Sequence, residues 1–158
     1  MKFTKMQALG NDYVYINAIN NKITHLPELA RFISDRHFAI GSDGMVLIYP
    51  SDKADFRMRM FNPDGTEAQM CGNALRSMGK YVYEHRMTDK TELKIETMAG
   101  IKKVYLYVSG GIVENIRADI GKPEFTASKV PVRTEQQYFI GQYVSVLGKN
   151  FLMTAVSW

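Results

Sequence analysis

Three consecutive segments, residues 92–98, 102–108 and 113–120, alternate apolar and polar side chains and are broken by Ala99-Gly100 and Ser109-Gly-Gly111. A period of two marks a strand with one buried face, and short glycine-containing breaks mark tight turns, so this stretch predicts a β-meander. Ahead of it, residues 2–7 and 12–18 read as strands joined by the turn Gly10-Asn11-Asp12, and residues 44–49 form an apolar strand after Gly41-Ser-Asp-Gly44. Residues 55–61 set Phe56, Met58 and Met60 against Arg57 and Arg59, which is again period two. Two stretches follow a helical period instead. Residues 26–38 place Pro27 and Glu28 in a first turn and give Leu29, Phe32 and Ile33 one apolar stripe. From Cys71 to about His85, Ala74, Met78, Tyr81 and Val82 recur at helical spacing. The prediction is an α+β fold.

Residues 122–131 hold two prolines and little periodicity and read as a linker. Beyond them, residues 138–147 and 151–157 are strand-like around the turn Gly148-Lys-Asn150. A lone hairpin buries no core of its own. The expected organisation is therefore one domain over residues 1–121, then a linker and the opening hairpin of a second, incomplete domain over residues 122–158.

Composition narrows the function classes. The chain of 158 residues is 46% hydrophobic and 23% charged, ordinary for a globular protein. Its single cysteine excludes an internal disulfide framework and points to a reducing cytoplasm. No stretch approaches the roughly 18 apolar residues of a membrane span, and the N-terminus has no apolar core of a signal peptide. The formal charge of +4 is scattered, with Lys102-Lys103 inside an alternating segment, so a solvated face is expected rather than a nucleic-acid surface. His25, His37 and His85 show no metal-ligand spacing and no pairing with the cysteine, and the ten methionines fall mostly at core positions.

The candidate chemistry sits in Phe61-Asn-Pro-Asp-Gly-Thr-Glu-Ala-Gln-Met-Cys-Gly-Asn-Ala-Leu-Arg76. A turn leads to Cys71, and Cys71 leads into the second helix. A thiol at a helix start faces unpaired N–H groups and the positive end of the dipole, which favour the reactive thiolate. Gly72 permits close approach of a ligand to the backbone, and the first-turn N–H groups suit a carboxylate. The competing explanations are plain ones. A free cysteine is commonly a small buried hydrophobe, and Asn11 and Asn62 both stand in turns, where asparagine is common for turn reasons alone.

Leu9-Gly-Asn-Asp12, Gly41-Ser-Asp-Gly44, Phe61–Glu67 and Met70-Cys-Gly-Asn-Ala-Leu-Arg76 occur in that order, and together they resemble the N-terminal half of the diaminopimelate epimerase family. These are pyridoxal-phosphate-independent amino-acid epimerases of lysine and peptidoglycan synthesis. The resemblance covers essentially the whole chain. It implies antiparallel strands wrapped around a central helix, two such domains per protein, and one catalytic cysteine from each domain. Position by position, Cys71 resembles the first catalytic cysteine. Gly72 and Asn73 resemble residues that hold the substrate's α-carboxylate and amine, and Asn11 and Asn62 resemble further substrate contacts. Some members place a glutamine at the position of Gly44; here there is no side chain to make that contact.

The implied reaction inverts LL-diaminopimelate to the meso form, with a thiolate and a thiol on opposite faces of the α-carbon, no cofactor and no metal. The implied partner is a small amino-acid substrate with carboxylates. The partner cysteine, a Gly-Asn-Pro-His stretch and a Glu-Arg pair of the family's second half are not in this sequence. The expectation is a truncated epimerase carrying half of its site, inactive alone, whose apolar terminal hairpin draws it into a homodimer. Two other functions stay open: another racemase or isomerase of the same superfamily, and a non-catalytic fragment that binds a small acid or associates with itself.

Overall fold

A computed structural model describes residues 1–157. The strands are β1 (Thr4–Ala8), β2 (Asn11–Asn17), β3 (Met45–Tyr49), β4 (Phe56–Phe61), β5 (Glu67–Ala68), β6 (Glu92–Thr97), β7 (Gly100–Ser109), β8 (Ile112–Asp119), β9 (Gln142–Val146) and β10 (Lys149–Met153). The helices are α1 (Leu26–Ser34) and α2 (Gly72–Glu84). Among the described residues, the first eight strands form one sheet in the order β1-β2-β3-β4-β6-β7-β8, with β5 paired to β4.

The sheet is mixed, which corrects the expectation of antiparallel strands. β2 pairs parallel with β3, and β4 pairs parallel with β6. Each parallel pair is joined through a helix, α1 between β2 and β3 and α2 between β4 and β6, because a parallel connection must cross the sheet. The two helices serve two cores. Tyr13, Tyr15, Val46, Ile48, Met58 and Met60 pack with Ala74, Leu75, Met78 and Val82 of α2. Val14, Ile16, Met45, Leu47 and Phe61 pack with Leu26, Ala30 and Ile33 of α1. Strands β2 and β3 are thus buried on both faces, which is why residues 45–48 are a continuous apolar run. α2 touches β1 and β2 near one end of the strand order and β7 and β8 at the other, so the sheet curls.

Several boundaries move for local reasons. α1 stops at Ser34 rather than running to residue 38, since the Asp35 carboxylate accepts the N–H groups of His37 (2.7 Å) and Phe38 (2.9 Å). That short polar side chain offers the backbone an alternative to the helix. The first hairpin turns at Leu9-Gly10, both at positive φ, one residue earlier than expected. Likewise β9 and β10 turn at Leu147-Gly148, with Val146 opposite Lys149. Two-residue turns with both φ positive match the right-handed strand twist, and here that geometry accepts a leucine at 97% exposure.

Residues 1–119 and 120–158 form two compact units. Within the second, a short 3-10 turn (Ala127–Lys129) and the bridges Glu124↔Ser157 and Thr126↔Tyr138 order the stretch read as a linker. Its hairpin leaves Tyr143, Leu147, Phe151 and Leu152 exposed.

Candidate active site

Cys71 is the N-cap of α2, with extended backbone (φ −139°, ψ 121°), and is half-buried. Its carbonyl accepts the first helical hydrogen bond, from Leu75 N–H at 2.9 Å. The amides of Gly72, Asn73 and Ala74 precede that bond and have no partner within the helix. No acidic side chain occupies the first turn. The helix start is thus an arc of N–H donors beside a thiol, without a competing carboxylate of its own.

What brings the chain to this point is the β4–β5 corner. Arg59 of β4 grips Glu67 of β5 through two parallel bonds, Nε to Oε1 at 2.7 Å and Nη2 to Oε2 at 2.8 Å. Between those strands the turn is closed by Asn62 N–H to Thr66 O (2.8 Å) and Gly65 N–H to Asn62 O (2.9 Å), and Arg31 of α1 donates to the Asp64 carbonyl (2.9 Å). The Asn62 side-chain amide donates to Thr66 Oγ1 at 3.0 Å, so in this structure it serves its own turn.

Strand β2 runs beside the start of α2, and its residues 11, 13 and 15 lie on one face by the strand period. All three engage the helix start. Asn73 Nδ2 donates to Asn11 Oδ1 at 2.6 Å. The Tyr13 hydroxyl lies 3.5 Å from Cys71 Sγ. The Tyr15 hydroxyl donates to the Ala74 carbonyl at 3.2 Å. Arg76 Nη2 donates to Asn73 Oδ1 as well, so both ends of the Asn73 amide are held.

A charged group stands behind Asn11. Asp43 Oδ2 accepts from Asp12 N–H (3.1 Å) and from Asn11 Nδ2 (3.4 Å), while Asp43 N–H donates to the Asp12 carbonyl (2.7 Å). Arg36 bridges Asp12 (2.7 Å) and Asp43 (2.9 Å), and Lys5 reaches Asp12 at 3.0 Å. The Arg36 guanidinium, with Lys5 beside it, holds the Asp12 carboxyl well below the usual carboxylate range. Burial, reinforced by the bond to Cys71, pushes the Tyr13 phenol far above its ordinary value. Burial does the same for Tyr15.

Gly44 is explained by sterics. Its φ is +149°, and a Cβ there would drive into the Phe61 carbonyl oxygen and come within 3.3 Å of Tyr13 Cε1. A glutamine at this position would displace the β4 backbone and the tyrosine ring. The structure brings Cys71, Asn73 and Asn11 together and keeps Asn62 in the adjoining turn. Tyr13, Asp43 and Arg76 were missed by sequence reasoning. The signal for Tyr13 was present, since 11, 13 and 15 share a strand face, but nothing local says what that face meets.

An open cleft of about 1160 Å³ lies elsewhere, lined by Phe3, Asn17, Lys22, Tyr81 and His85 among others. Tyr81 is ten residues along the helix from Cys71, roughly 15 Å at 1.5 Å per residue. Among the described residues, no cluster of three or more His, Cys, Asp or Glu side chains could hold a metal ion, and no helix is long and apolar enough to cross a membrane.

Comparison with known proteins places the chain in a family. The model of the diaminopimelate epimerase family matches residues 3–126. The diaminopimelate epimerase of Methanococcus maripaludis strain C5 is 52% identical over 157 residues, which is 99% of this chain and 57% of that protein. That of Acetivibrio thermocellus is 48% identical over 157 residues, 99% of this chain and 56% of its own length. Among solved structures, a hydroxyproline epimerase from Agrobacterium vitis aligns with TM-score 0.63 at 12% identity, covering 91% of this chain and 44% of that one. Methylitaconate-delta-isomerase aligns with TM-score 0.59 at 14% identity, covering 98% and 50%. These last two likenesses concern the fold. The chain spans little more than half the length of the curated relatives it matches. By the family match and the identity along nearly its whole length, the chain belongs to the diaminopimelate epimerase family.

Proposed function

We propose that this chain supplies the first half of a cofactor-independent epimerase site that inverts LL-diaminopimelate to meso-diaminopimelate, with Cys71 as the acid/base group on one face of the α-carbon. One observation carries the reading: a thiol at the N-cap of α2, beside free first-turn amides and the Asn11–Asn73 pair. An α-proton of an amino acid is very weakly acidic, so a base must be held at it in a site shielded from water. The thiolate takes that proton onto Sγ. Negative charge then spreads from the α-carbon into the carboxylate, where the amides of Gly72 and Asn73 and the helix dipole stabilise it. Gly72 and Asn73 hold the carboxylate and amine, Asn11 is a further substrate contact, and Asn62 becomes one by exchanging its bond to Thr66 Oγ1 for the substrate. Inversion needs a second acid on the opposite face, and with one cysteine in 158 residues that group comes from another polypeptide segment.

In this reading α2 is the central helix around which the sheet curls, and residues 120–158 open a second, similar domain. The exposed hairpin supports a second copy of the chain as partner. Tyr143, Leu147, Phe151 and Leu152 are all exposed, and Lys149 is the one charged residue in β9, β10 and their turn. A reading as a self-associating, non-catalytic fragment rests on that same hairpin.

The test is protection of the single thiol. Diaminopimelate should slow alkylation of Cys71 by iodoacetamide, and with an added C-terminal half of a relative the mixture should exchange the substrate's α-proton in deuterated water. Alkylation that ignores saturating diaminopimelate overturns the substrate assignment. Protection without any exchange in the mixture favours the non-catalytic reading.

A further inference from the structure

We propose that Tyr13 is a positioning residue for Cys71, whose hydroxyl donates a hydrogen bond to the thiolate and aims Sγ. This rests on the reading of Cys71 as the acid/base group. Tyr13 Oη is 3.5 Å from Sγ, within reach for a sulfur acceptor, and the tyrosine is only 5% exposed. Its ring has little room to turn away, because it packs in the α2 core and the missing side chain of Gly44 makes the space for Cε1. Neighbouring rungs fix both partners. Asn11 holds Asn73 two residues after the thiol, and Tyr15 holds the Ala74 carbonyl one turn into the helix.

The direction of the bond follows from the surroundings. A buried phenol beside a developing negative charge keeps its proton, so Tyr13 is the donor whenever the sulfur is ionised. No proton passes from the tyrosine. When the sulfur carries its proton, the phenol oxygen accepts from it instead. A bond to a charged acceptor is about twice as strong as one between neutral groups, so removing the hydroxyl weakens the thiolate more than the thiol.

Tyr13→Phe keeps the ring and removes the donor. In the intact chain, iodoacetamide should then alkylate Cys71 about 5- to 10-fold more slowly at neutral pH, with the pH midpoint of the reaction moved upward by up to about one unit. A fluorinated tyrosine placed at position 13, a stronger donor of the same shape, should move the midpoint down. Ile33→Val in the other core, a purely packing change, should lower the melting temperature without moving the midpoint. An unmoved midpoint in Tyr13→Phe, or an equal shift in Ile33→Val, overturns the proposal. So does an upward shift with the fluorinated residue. Protection by diaminopimelate, measured on the wild-type chain in the same assay, reports separately on the substrate reading: it can fail while the Tyr13→Phe shift stands, and the reverse.

Discussion

Replacing Gly44 with alanine tests how tightly β4 and the Tyr13 ring are packed around it. The added methyl meets the Phe61 carbonyl oxygen well inside van der Waals distance and Tyr13 Cε1 at 3.3 Å. Neither neighbour yields readily. Phe61 is 2% exposed and sits in register opposite both Met45 and Glu67, so its carbonyl moves only if β3, β4 and β5 separate. Gly44 itself is tied, its carbonyl accepting from Val14 N–H at 3.0 Å and from Ser42 Oγ at 2.9 Å. Overpacking a rigid core costs about 1–3 kcal/mol, and a side chain at this positive φ adds roughly 1 kcal/mol or more. The sum is about 3 kcal/mol, which for a chain of this size lowers the melting temperature by roughly 10 °C. Thermal and urea unfolding of the wild type, Gly44→Ala and Gly44→Gln would measure it, with the glutamine variant at least as unstable as the alanine. A Gly44→Ala protein melting within about 2 °C of wild type would refute the reasoning, since that is less than 1 kcal/mol on this scale.

Other outcomes follow from the same geometry. The Asp12 carboxyl is depressed in the folded state, so its contribution to stability is complete above the unfolded carboxylate range and is lost as pH falls through the folded value; Arg36→Ala should lower stability slightly at neutral pH, as expected for an exposed ion pair, and flatten the acid limb of the stability curve. An acid limb identical to wild type in urea titrations would contradict this. Light scattering should find the chain self-associated, and Leu147→Lys with Phe151→Lys should shift it toward monomer; a wild-type monomer would rule out the hairpin as interface. Leu75→Ala, at a fully buried position under the first turn of α2, should cost roughly 2–5 kcal/mol by denaturant midpoint and blunt substrate protection of Cys71. The purified 158-residue chain alone should not turn over diaminopimelate, because one cysteine returns the proton to the face it left; polarimetry or chiral chromatography showing rapid inversion would mean that two copies build a shared site.

The amino-acid sequence by itself determined the local elements. Period two placed the meander, period 3.6 placed α2, and the Cys71-Gly72-Asn73 start of that helix was legible. The four ordered motifs led to the family. These signals are short-range, carried by residues within a turn or a strand of one another. What only the tertiary structure decided is which of them meet. Alternation looks the same in parallel and antiparallel strands, so the pairing of β2 with β3 and of β4 with β6 waited on the two helices that cross between them. Tyr13 and Cys71 are 58 residues apart, Asn11 and Asn73 are 62 apart, and no local pattern records either contact. Gly44 reads as one more turn glycine until the Phe61 carbonyl is found where its side chain would stand. Local propensity is written residue by residue, whereas the aim of a thiol is set by the packing of strands and a helix that are distant along the chain.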